Sequence, residues 1–203
     1  MVAVVLPIGH YLGQFFTSEQ AEDPESHEVR IGEDVFQLSA AEYVVWGLAH
    51  SELETLQHTK PSRTAVESQA RELGVADPTT AFSDLTEQGL LAQVMPVGNT
   101  VRRFAEQHQV KPLSLGLGNT AEQLGTLTLG HPEQPRIGVG YEVYRVWSFC
   151  AHYDSLWETC TALAEPTETE QTSTDPNFLV NSFFDVLPAL VSVSCVYIDR
   201  RRS

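Results

Sequence analysis

Along the first half of the chain the spacing of apolar residues changes twice. Residues 4–16 (VVLPIGHYLGQFF) are mostly apolar but broken by Pro7, Gly9 and Gly13, which suits extended chain better than helix. A polar, acidic stretch follows over 17–28, with Asp23-Pro24 as a turn signal. Residues 28–31 and 35–38 then read as short strands flanking Gly32-Glu33-Asp34, a tight hairpin. Beyond Leu38 the spacing becomes helical. Ser39 offers an N-cap hydroxyl and Glu42 completes a capping box, so a helix is expected over 40–51, with Tyr43, Val44, Trp46, Gly47 and His50 at helical spacings. A second helix is expected over 62–73, between Pro61 and Gly74. A third starts at Asp77-Pro78, an N-cap followed by proline at N1, and stops at Gly89. Leu90, Leu91, Gln93 and Val94 read as a closing strand.

Hairpin, three short helices and a strand is the winged-helix plan. The second half repeats recognisable pieces of it. Pro7-Ile8 with Leu12-Gly13-Gln14 faces Pro112-Leu113 with Leu117-Gly118-Asn119, and Arg30-Ile31-Gly32 faces Arg136-Ile137-Gly138. Tyr43–Trp46 faces Tyr144–Trp147, Phe82–Leu85 faces Phe183–Val186, and Leu90 faces Val191. The expected fold class is therefore α+β, winged-helix-like, in two tandem copies from an internal duplication. The expected domains are 1–97 and 108–203, with 98–107 as a linker. In the second copy a hairpin is expected from 126–129 and 137–140, helices over 142–153 and 155–164, and an acidic loop over 165–174 (EPTETEQTST). A last helix is expected from Asp175-Pro176, ended or kinked by Pro188, and then a strand over 191–198.

The run RIGEDVFQLSAAEYVVWGLAHS, followed by two helices and LTEQGLLAQV, resembles the PqqD-like winged helices, over residues 28–95. Those are the precursor-recognition elements of ribosomal peptide-modification systems. Trp46, Leu85, Gly89, Leu90 and Leu91 stand where that family has its inward tryptophan and its Gly-Leu-Leu closure. The resemblance implies a domain that recognises a peptide, without catalysis.

Charge sharpens the choice of ligand. The chain has 203 residues, 27 Asp+Glu against 12 Lys+Arg, and a net charge of −15. Phosphate binding needs clustered Lys and Arg. The third helix, residues 77–89 (DPTTAFSDLTEQG), has no Lys or Arg and three acids, Asp77, Asp84 and Glu87. Residues 175–190 also lack a base. A DNA-reading helix needs the opposite. The candidate nucleic-acid contacts are confined to Arg63, Arg102, Arg103, Arg200, Arg201 and Arg202.

No catalytic residue, cofactor or metal is assigned. The seven histidines form no i, i+4 pair, and neither H-E-x-x-H nor G-x-S-x-G occurs. Gly116-Leu117-Gly118-Asn119 lacks the remaining residues of a phosphate loop. Cys150, His152 and Cys160 match no standard zinc spacing and read as buried side chains. Three cysteines make no disulfide framework, and no apolar run is long enough to span a bilayer, so the expectation is a soluble cytoplasmic chain. The expected function is non-enzymatic recognition of a protein or peptide partner, favouring a basic one, in a groove between an open strand edge and the third helix. Its candidate residues are Val35, Phe36 and Gln37 on the strand and Thr80, Ser83 and Glu87 on the helix. The alternative is a winged-helix transcriptional regulator that binds DNA.

Overall fold

The computed structural model describes residues 2–165 and 174–202, so most of the acidic loop expected at 165–174 lies outside the described residues. The architecture is mixed α+β. The chain divides into two compact units, Met1–Pro96 and Val97–Ser203.

Unit 1 begins with β1 (Val4–Pro7), fully buried, and β2 (His10–Phe15). The hairpin follows as β3 (Ser26–Ile31) and β4 (Asp34–Leu38), in the register Ile31↔Asp34, with Gly32 at φ +60° in the turn. The left-handed φ is why glycine stands there. Helix α1 (Ala40–Leu48) carries the expected capping box: Ser39 Oγ accepts from the Glu42 N–H, and Glu42 Oε2 accepts from the Ser39 N–H at 2.8 Å. A one-turn helix, α2 (Leu53–Leu56), precedes α3 (Arg63–Glu72), which is capped by Ser62. Asp77 caps α4 (Pro78–Glu87), and β5 (Leu91–Val94) closes the unit. Strand β5 pairs antiparallel with β1, from Val4↔Val94 to Pro7↔Leu91, while β2, β3 and β4 form a separate sheet in that order. Val29, Ile31, Trp46, Phe82, Leu85 and Leu90 fill the core between them.

Unit 2 opens with α5 (Thr100–Gln107), which buries Val101, Phe104 and Ala105. The stretch 98–107 was expected to be a linker. Instead its apolar stripe packs on unit 2, with Phe104 edge-on to Phe184 at 5.8 Å. The remaining order is β6 (His108–Pro112), β7 (Leu115–Thr120), β8 (Gln123–His131), β9 (Gln134–Val139), α6 (Tyr141–Phe149), α7 (Leu156–Ala164), α8 (Pro176–Ser192) and β10 (Val196–Arg200). Strand β10 pairs with β6, and β7, β8 and β9 form a three-stranded sheet.

Several local expectations change. Helix α7 is capped by the Ser155 hydroxyl and starts at Leu156. Helix α8 runs through Pro188 to Ser192, with Pro188 itself buried, so the last strand starts at Val196 and not at 191. Helix α6 ends at Phe149, earlier than 153.

Both units share one order of elements from β1 and β6 onward, except for the extra α2. They also share finer details. The pair Pro7↔Leu91 matches Pro112↔Val196, and Ile8 N–H to Leu90 O (2.9 Å) matches Leu113 N–H to Cys195 O (2.9 Å). A register shift lies between Tyr11 and Gly13, and again between Gly116 and Gly118. Three of the sequence pairings do not survive. Arg30 lies on β3 but Arg136 on β9, and Leu90 follows its helix whereas Val191 lies inside α8. The two helix ends match at Leu85 with Leu190 and Leu90 with Cys195, joined in each unit by an N–H to O bond of 2.8 Å. That places the Phe82–Phe183 pairing one turn out of step.

Candidate functional site

Strand β4 is an edge strand with β3 as its hydrogen-bonded neighbour. Alternation along the hairpin buries His27, Val29 and Ile31 on β3 and Leu38 on β4. Phe36, opposite Val29, is half-buried, whereas Val35, opposite Arg30, is 51% exposed. Gln37 points outward and its Nε2 donates to Glu28 Oε1 at 3.5 Å. Of the three strand residues expected to face a ligand, Val35 and Gln37 are therefore outward and Phe36 faces inward.

The three helix residues have mixed roles. The Thr80 N–H and hydroxyl both donate to Asp77, at 3.0 and 2.7 Å, so Thr80 belongs to the N-cap. Ser83 Oγ donates to Thr79 O at 2.9 Å and accepts from Arg63 Nη2 at 3.2 Å. Glu87 is exposed in the last turn of α4. Helix α4 packs chiefly on α1, α3 and β5, while β4 packs on β3 and α1. Of these six residues, only Gln37 lines a described cleft.

That cleft, of about 510 Å³, opens at the end of the β2–β3–β4 sheet and is lined by Phe15, Thr17, Glu25, Glu28, Gln37 and Glu42, among others. Its carboxylates come from the β2–β3 loop, from β3 and from the first turn of α1. Phe15 is 43% exposed beside them. Sequence reading noted the acidity of 17–28 but had no means of folding it back over β4. A second cleft, of about 390 Å³, lies between the end of α1, α2 and α3, and includes Glu52, Glu72 and the exposed Leu73.

Behind the sheet, the inner face carries an aromatic stack. His27 and Tyr43 lie 3.8 Å apart with rings within 2° of parallel, Tyr11 stacks on Tyr43 at 5.2 Å, and His50 meets Trp46 edge-on at 4.4 Å. Tyr11 Oη is hydrogen-bonded to His27 Nδ1 at 3.0 Å, and Trp46 Nε1 donates to Ile8 O at 3.2 Å. Burial, with the neighbouring Tyr43, pushes the Tyr11 phenol up to about 12. Burial also holds the His27 and His50 imidazoles below their ordinary value. The stacked rings and the Tyr11–His27 bond pack the inner face of the sheet.

The basic residues are largely engaged. Arg63 Nε lies 2.6 Å from Glu67 and its guanidinium sits over the Phe82 ring. Arg102 pairs with Glu106 at 2.8 Å and stacks on Trp157, and Arg201 pairs with Glu158 at 2.6 Å. Arg103 is exposed on α5, Arg200 ends β10 opposite His108, and the Arg202 N–H donates to Asp154 O. Cys150, Cys160 and Cys195 are buried free thiols, with burial raising the first two to about 12. Among the described residues no group of three or more His, Cys, Asp or Glu is placed to hold a metal. The buried Asp199 is met by Lys111 Nζ at 3.0 Å.

The corresponding edge in unit 2 is built differently. Val29↔Phe36 corresponds to Leu129↔Ile137, and Arg30↔Val35 to Gly130↔Pro135. Arg136 is therefore an extra residue, the bulge of β9, and has no counterpart in β4. Its backbone lies over Gly130, where a Cβ would meet Arg136 N at 2.6 Å. Its Nη1 donates to Val193 O at 3.0 Å and to Ser194 O at 2.9 Å, at the end of α8.

No helix among the described residues is long and apolar enough to cross a membrane. Comparison with family models, with curated proteins and with solved structures finds no match to the chain.

Proposed function

We propose that the protein is a non-enzymatic module that binds an extended, basic segment of a peptide or protein partner by adding it as a strand to β4. The observation that carries this reading is the β4 edge. It is regular, free of proline and bulges, outward at Val35 and Gln37, and it ends in a cleft lined by Glu25, Glu28 and Glu42. Exposed edges are ready templates for another strand, and natural proteins blunt the ones they do not use. The net charge of −15 favours a cationic partner through steering.

The same reading takes the two units as copies of one winged-helix-like module. Support comes from the shared order, the shared register shift near Gly13 and Gly118, and the matched helix ends. DNA binding has less support, because Arg63, Arg102 and Arg201 already face carboxylates and α4 presents acids.

The test uses the full chain and a library of short extended peptides. Selected sequences are expected to carry Lys or Arg, to bind more weakly as salt rises, and to be lost on Val35→Pro. That proline deletes an edge donor. A library that returns no binder, or tight binding of random duplex DNA at low salt, overturns the reading.

A further inference from the structure

Unit 2 shows what the end of the third helix accepts. The last carbonyls of a helix have no intrahelical partner and carry its negative pole. At the end of α8 the C-cap carbonyl of Val193 and the next one along, of Ser194, take the Arg136 guanidinium. That arginine is delivered by a bulge on the edge strand. Bulges at sheet edges commonly re-aim a side chain and end pairing, and here Pro135 beside it removes an edge N–H as well. Unit 2 thus occupies this position with its own side chain and blunts its own edge.

Helix α4 ends in the same geometry. Its C-cap, Gln88, donates to Asp84 O as Val193 does to Ala189 O. Gly89 has φ +77° and Ser194 φ +51°, so both chains turn off the helix through the left-handed region. Gln88 and Gly89 therefore match Val193 and Ser194. The strand that corresponds to β9, β4, has no inserted arginine, and Val35 has no donor to offer. The last turn of α4 instead carries Asp84 and Glu87, both exposed, where α8 has Ala189 and Ser192. Unit 1 has the acceptors and additional negative charge, and lacks the cation.

Resting on the strand-addition reading, we propose that the carbonyls of Gln88 and Gly89, flanked by Asp84 and Glu87, seat an arginine side chain of the segment added to β4. The partner's guanidinium does in unit 1 what Arg136 does in unit 2, and the protein takes one such segment per chain. Arginine is the residue that unit 2 itself places there, with both bonds made from one guanidinium nitrogen.

The experiment titrates the full chain with a short blocked peptide of alternating arginine and valine, and with the same peptide carrying citrulline, the uncharged isostere, for arginine. Amide exchange locates the contact. The expected result is one arginine peptide per chain, protection at 34–38, perturbation at 88–90, no change at 134–139, and binding about tenfold weaker for the citrulline peptide. Equal binding of the two peptides, or protection that extends to β9, overturns the arginine seat while leaving strand addition standing. Binding of neither peptide overturns strand addition and the seat with it.

Discussion

The two units place different side chains at matching positions of the same frame, and the differences occur at the inner face and edge of the three-stranded sheet. On the inner face, unit 1 has Tyr11 and His27 where the registers give unit 2 Gly116 and Leu127. Tyr43 and Trp46 have counterparts in Tyr144 and Trp147. With no ring at 116, Tyr144 moves into the space, so that a Cβ on Gly116 would overlap its hydroxyl and lie 3.1 Å from Trp147. The polar consequences follow. Trp46 Nε1 reaches Ile8 O, whereas Trp147 Nε1 is buried without a partner. At the edge, β4 is regular and β9 is bulged. One frame thus supports a hydrogen-bonded aromatic stack behind an open edge, or a collapsed apolar face behind a blunted one.

Exchanging the residues at 11 and 116 should break the comparison most severely. Tyr11→Gly deletes the ring stacked on Tyr43 and the bond to His27, and should cost unit 1 about 3 kcal/mol. Gly116→Tyr forces Tyr144 and Trp147 aside and should cost unit 2 about 2 kcal/mol. Denaturant-dependent amide exchange, read separately on 26–38 and 123–139, checks both. Equal loss in the two units for either variant would show that the inner faces are not organised as described.

The tryptophans give the next contrast. Trp46→Phe strands the buried Ile8 carbonyl and should destabilise unit 1 by about 2 kcal/mol. Trp147→Phe removes a donor that had no partner, so it loses packing alone and should cost less than half as much. Chemical denaturation of the two variants side by side decides this, and an equal cost would mean that Trp147 Nε1 is satisfied.

The smallest effect is acid sensitivity. Burial lowers His27 and His50 in unit 1, and His108 in unit 2. The unfolded chain takes up these protons below its ordinary value of about 6.5, while the folded chain resists them until a lower pH. Stability from these groups is complete above that value and drains as pH falls beneath it. Unit 1, with two such groups against one, should therefore lose more exchange protection than unit 2 on titration from neutrality to acid. His27→Leu, which imports the unit 2 residue, should flatten the unit 1 profile, and an unchanged profile would remove His27 as its cause.

Much of unit 1 was legible because its signals are local. Ser39 and Glu42, Asp77 with Pro78, and Gly89 each act within a turn of where they stand, and all appear as expected. The failures are the non-local parts. The pairing of β1 with β5 joins Val4 to Val94, and no short-range pattern carries it. Residues 98–107 were expected to be a linker because they fall between the two proposed copies, yet Val101, Phe104 and Ala105 form a buried stripe on α5. The clefted half of the site was missed for the same reason: Glu25, Glu28 and Glu42 converge only when the β2–β3 loop folds back beside α1.

The amino-acid sequence by itself determined the capped starts of α1, α3 and α4, the hairpin turn at Gly32, the excess of acid and the poverty of base on the third helix, because caps, turns and charge act at short range. Tertiary structure decided which edge is open. Arg30 and Arg136 look alike in the sequence, in Arg-Ile-Gly runs, but one sits in a regular strand and the other is the extra residue of a bulge. That difference exists only once each strand has a partner against which its register is set.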